Sequence, residues 1–117
     1  MSSDMESKEG TKVPAIHLVE RNPGVRRVAV TEAEWETGYW AVTQEAAGRL
    51  IGGDLYLHAK QLAPSHFGGK ILSFRVHSEP GNDKMDGRIV FRIQASMAHK
   101  NFRTPKDGWG NDKKLVW

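Results

Sequence analysis

The chain has 117 residues, 38% of them hydrophobic and 26% charged, with 17 basic against 14 acidic side chains and a net charge of +3. One soluble domain fits that size and balance; no apolar run approaches the ~18–20 residues that span a bilayer, so no membrane partner is expected. Zero cysteines exclude disulfides and thiolate metal sites, and no basic stretch leads into an apolar one as in a secretory signal, so the expected compartment is the cytoplasm.

Residues 1–12 hold only two methionines as apolar side chains and are expected to form a disordered tail, with 13–117 as the single domain. Asp4, Glu6 and Glu9 against Lys8 and Lys12 leave the tail at −1, so the remainder carries +4. A mildly basic domain suits a polyanionic partner, because cations that neutralise phosphates release counterions, although many basic proteins of this size bind no nucleic acid.

Val13 to Val19 is rich in apolar residues and precedes Asn22-Pro23-Gly24, a turn by composition, after which Val25 to Val30 alternates as a strand does, so two short strands are expected. Thr31-x-x-Glu34 has the spacing of a capping box, which predicts a short helix around Trp35 that stops at Gly38. Tyr39 to Val42 reads as a strand. Thr43 then caps a second helix to about Ile51, with Ala46, Ala47, Leu50 and Ile51 on one side and Gly52-Gly53 ending it.

From Asp54 the period is two. Leu55, Leu57 and Ala59 point to a core, while Tyr56, His58 and Lys60 point to an accessible face. Gln61 to Lys70 reads as a loop, and in the strand from Ile71 to His77 the inward residues are Leu72, Phe74 and Val76. Glu79 to Gly87 is an exposed connection; Ile89, Phe91 and Ile93 mark another strand, and Lys114 to Trp117 a short terminal one. Five or six strands, two short helices and glycine corners predict an α+β domain, a small mixed β-barrel.

Three blocks in this order resemble the PUA-like superfamily of pseudobarrels, and within it the EVE and ASCH groups. They are Tyr39-Trp40-Ala41-Val42, Gly53-Asp54-Leu55-Tyr56-Leu57-His58 and Gly69-Lys70-Ile71-Leu72-Ser73-Phe74-Arg75-Val76. The likeness covers residues 39–94 and implies a module that binds nucleic acid, RNA or DNA, or a modified base. Two alternatives stay open: an ASCH-like hydrolase acting on RNA or a modified nucleoside, and a small protein–protein adaptor of phage or mobile-element type.

The candidate nucleic-acid-binding residues are Tyr56, His58, Lys60, Arg75, Lys100, Arg103, Lys106 and Trp109, since cations meet phosphates and aromatic rings stack on bases. Trp40 and Phe67 are candidate pocket walls, each also suited to a core. In an enzyme, His58 and Lys60 would be the proton-transfer groups. Asp54 either fixes a turn through backbone bonds, the commoner use, or coordinates a ligand. Gly68-Gly69 admits a phosphate to backbone N–H groups or a tight entry to a strand. His17, His58, His66, His77 and His99 lack metal-ligand spacing, so neither metal nor cofactor is expected.

Overall fold

The computed structural model describes residues 13–20, 25–29 (backbone only), 33–110 and 112–117. The expected N-terminal tail, the Asn22-Pro23-Gly24 turn and Thr31 lie outside the described residues.

The strands are β1 (Ala15–Val19), β2 (Val25–Ala29), β3 (Glu34–Trp40), β4 (Asp54–His58), β5 (Ser65–Val76), β6 (Ile89–Ala95) and β7 (Lys113–Val116). They form one seven-stranded sheet in the order β2-β3-β6-β5-β4-β1-β7. β1 runs parallel to β4, and every other neighbouring pair is antiparallel. Among the described residues one α-helix, α1 (Gln44–Leu50), joins β3 to β4; Thr43 caps it by accepting a bond from the Ala46 N–H at 3.1 Å.

The sheet corrects the expected barrel. β2 and β7 stand at opposite edges and do not pair, so the sheet is open and the PUA-like, EVE and ASCH resemblance is not upheld by the architecture. A second correction concerns the helix expected around Trp35: Glu34–Trp40 is β3. The period is two here, because Glu34 and Glu36 reach Arg92 (2.6 Å) and Arg75 (3.2 Å) on one face while Trp35 packs on the core and Thr37 is fully buried on the other. Tertiary pairing with β6 overrides the local capping signal.

α1 covers one face of the sheet. Ala47 and Leu50 pack with Ile16, Leu18, Leu55, Leu57, Ile71, Ile89, Phe91 and Ile93 into the core. In β5 Ile71 is buried while Leu72 and Val76 are exposed, opposite to the expected alternation, whereas Phe74 packs against the core as expected. A bulge between Ile71 and Ser73 inserts the extra residue that shifts the faces.

β5 also replaces most of the loop expected from Gln61 to Lys70, beginning at Ser65 and running for 12 residues. Its first half pairs with β4 and its second with β6, and Gly69 pairs with both Leu55 and Ala95. The two glycines serve that crossing: a Cβ on Gly68 would strike the Leu55 carbonyl oxygen, and one on Gly69 the Gln94 carbonyl oxygen. They are close-approach residues inside a strand, not a phosphate loop. Among the described residues no helix is long and apolar enough to cross a membrane.

Candidate functional site

The face of β1 and β4 turned away from α1 carries an unusual set of side chains. Register aligns Lys114 of β7 with His17 of β1, His17 with Tyr56 of β4, and Tyr56 with Gly68 of β5. One cross-strand row therefore reads Lys, His, Tyr, Gly, with Asp54 and His58 two residues to either side of Tyr56. Tyr56 and His58 were expected on an accessible face, but His58 is 0% and His17 2% exposed. The segment after β6 covers them.

That segment starts with a 3-10 turn, Met97–His99, and continues through Phe102 and Trp109. Ser65 at the start of β5 holds it down: its Oγ donates to the His99 carbonyl at 2.6 Å and accepts from the Phe102 N–H at 2.9 Å. Its own N–H donates to the Phe102 carbonyl (2.9 Å), and the Asn101 N–H donates to the Ser65 carbonyl (2.7 Å). Gly68 leaves the space this docking uses, since a Cβ there would come within 3.0 Å of the His99 Cβ.

Underneath, the rings form a cluster. Tyr56 stacks on His17 (4.7 Å, 11°) and on Phe102 (4.4 Å, 22°), while Trp109 meets His58 edge to face at 5.6 Å. The histidines are bonded to each other, His17 Nδ1 to His58 Nε2 at 2.9 Å, and His58 Nδ1 lies 2.8 Å from the Ala63 carbonyl. A carbonyl only accepts, so His58 Nδ1 bears the proton, its Nε2 accepts, and His17 Nδ1 is the donor. Both ring nitrogens of His58 are thus engaged.

Electrostatics keep this pair neutral. Burial, the neighbouring His58 and the charge of Lys114 together push the His17 pKa down from 6.5 to about 4. Burial also lowers that of His58, against the opposing pull of the Ala63 carbonyl. At the other end of the row Asp54 accepts from His99 Nε2 (2.9 Å) and pairs with Lys70 (3.0 Å). Burial works against its carboxylate, yet the bonds from His99 and Lys70 outweigh burial and hold its pKa below the usual range. Burial and the Asp54 charge raise the Tyr56 phenol.

Of the residues singled out by sequence, Tyr56, His58 and Trp109 come together in this cluster. Lys60, Lys100, Arg103 and Lys106 are exposed around it, and Arg103 Nη1 donates to the Leu62 carbonyl (3.3 Å), which brings it onto the turn that holds Lys60. Arg75 belongs elsewhere, paired with Glu36. Trp40 and Phe67 pack against the main core; Phe67 meets Trp35 edge to face at 5.3 Å. Asp54 fixes side chains, not a turn.

Sequence reasoning passed over His17, His99, Ser65 and Lys114 as members of this cluster, while the interleaving of Phe102 and Trp109 with Lys100, Arg103 and Lys106 already marked Phe102 as a stacking surface. One signal was available: His17 interrupts an otherwise apolar strand, Ala15-Ile16-His17-Leu18-Val19, and a polar residue there must find a partner. Among the described residues no three His or carboxylate groups converge as a metal site would need. A separate groove of about 380 Å³ lies between Ala41–Thr43 and Asp83–Arg88, but its Asp86 and Arg88 are spent on the Glu79 N–H and the Lys84 carbonyl.

Compared with models of known protein families, with curated protein sequences and with solved structures, the chain matches none. The PUA-like, EVE and ASCH assignment therefore has no support from the comparisons either.

Proposed function

We propose that the rim of this cluster binds single-stranded nucleic acid. The observation that carries the proposal is Phe102, 43% exposed although one side of its ring is stacked on Tyr56, with the exposed cations Lys100, Arg103 and Lys106 close to it in the chain and exposed Lys60 on the turn that Arg103 reaches. Among the described residues none of these four cations lies within ion-pair distance of a carboxylate. An aromatic ring braced from behind offers a base a rigid surface at little entropic cost, and cations that no carboxylate neutralises meet the backbone phosphates.

Stacking gives affinity without strict sequence preference, and four phosphate contacts give a log–log salt slope of about −3 on a single strand. Fluorescence anisotropy of labelled single-stranded RNA and DNA across a salt series tests both points. Phe102→Ala should cost about 1–3 kcal/mol of binding. The double variant Lys100→Glu, Arg103→Glu should weaken binding at least about tenfold and flatten the salt slope by more than one unit. Binding that ignores salt and survives both changes would point to another surface, and no binding at low salt would end the proposal.

A further inference from the structure

Lys114 is 7% exposed, and a buried ammonium is costly unless an anion or a full set of acceptors compensates it. Among the described residues no carboxylate is within ion-pair distance of it. Its Nζ donates to Thr104 Oγ1 at 2.8 Å and to the Pro105 carbonyl at 2.7 Å, two neutral acceptors for a group with three N–H bonds.

A second anomaly belongs to the same loop. The Trp109 indole N–H is buried with no acceptor. Gly108, beside it, is packed so closely on Lys114 that a Cβ there would lie 3.2 Å from the Lys114 Cε. Both groups neighbour His17: Lys114 is its cross-strand partner on β7, and the Trp109 ring lies 6.2 Å from its ring. The neutral histidine pair supplies no negative charge. A buried cation with donor capacity to spare and an unused indole donor therefore both neighbour one neutral residue.

We infer that Lys114 and the Trp109 indole form an anion site that takes a phosphate group under the 104–110 loop, either as free phosphate or as the terminal phosphate of a nucleotide chain. Phosphate supplies what the two groups lack, negative charge and several acceptor oxygens. The site uses neither Phe102 nor the exposed cations, so it stands or falls apart from the nucleic-acid rim.

The test is an NMR titration of protein labelled with nitrogen-15 in its four tryptophans, with the Trp109 indole resonance identified by Trp109→Phe. Inorganic phosphate is added at constant ionic strength, with chloride as the balancing ion. The expected result is a saturable shift of the Trp109 indole resonance and a phosphate-dependent rise in melting temperature. Lys114→Met, close in length and uncharged, should weaken phosphate at least about tenfold, a loss of about 1.4 kcal/mol. Should that variant fail to fold, Trp109→Phe keeps the ring, removes the N–H, and should reduce the phosphate-dependent rise in melting temperature.

Two oligonucleotides, one with a terminal phosphate and one with a terminal hydroxyl, identify the source. A shift with the phosphorylated strand at lower concentration than with inorganic phosphate assigns the site to strand ends. A shift with inorganic phosphate and with neither strand assigns it to a free anion. A Trp109 resonance that stays in place throughout, or moves equally in Lys114→Met, overturns the site and leaves Lys114 a structural residue.

Discussion

The chemistry of the cluster turns on the proton shared by His17 and His58. The Ala63 carbonyl fixes the tautomer of His58, so a further proton on His58 would remove the only acceptor that His17 Nδ1 has there, beside the Lys114 charge. Folded His17 refuses a proton until about pH 4, whereas in the unfolded chain it takes one near pH 6.5. Its contribution to stability is fully present above pH 6.5 and is lost as pH falls through that window; the lowered pKa of His58 adds in the same direction. Melting temperature should therefore drop on acidification across this range, and His17→Gln should flatten the profile. A wild-type profile that is flat down to about pH 4 would contradict the neutral buried pair. Ser65 offers a second test at this scale. Ser65→Ala removes one donor and one acceptor from buried segment contacts and should cost about 1–3 kcal/mol in urea denaturation.

Among the elements, β5 decides how the site is assembled. It leaves β4 for β6 at Gly68-Gly69, where both backbones crowd the missing Cβ atoms, and the space over Gly68 seats His99. Gly68→Ala should destabilise by about 1–3 kcal/mol, because its methyl group meets backbone that cannot swing aside, and the loss should appear in chemical denaturation with the slope unchanged. The same strand shows where sequence reading reaches its limit. Leu55 and Leu57 against Tyr56 and His58 announce β4 by alternation, and Thr43 with Gly52-Gly53 brackets α1, because those signals are local. Gly68-Gly69 and Thr31-x-x-Glu34 are local signals as well, yet strand pairing overrules them: β6, far along the chain, draws Glu34–Trp40 into the sheet, and β4, the strand just before β5, draws in Ser65–Lys70. A bulge of one residue, invisible in composition, reversed Leu72 and Ile71.

At the scale of the molecule, the sheet has one face sealed by α1 over an aliphatic core and another covered, over β1 and β4, by the segment from Met97 to Trp109. Tyr56, His58 and Trp109 were legible as a group because strand period and aromatic content show in the sequence. Their burial was not, since it depends on Ser65 of β5 gripping His99 and Phe102, 34 and 37 residues away in the chain, and on Lys114 of β7 bonding Thr104 and Pro105. The resulting arrangement puts neutral, closely packed rings inside and cations with Phe102 outside, which is the basis for proposing nucleic-acid binding at this end of the sheet and not at the ion-paired surface of β3, β5 and β6. The most direct measurement is backbone amide NMR during titration with a short single-stranded oligonucleotide at low salt. The expected shifts cluster at residues 60–62 and 100–106 and weaken as salt rises. Shifts concentrated at 34–40 and 72–76 with the first group unmoved, or no shift at all, would contradict the assignment.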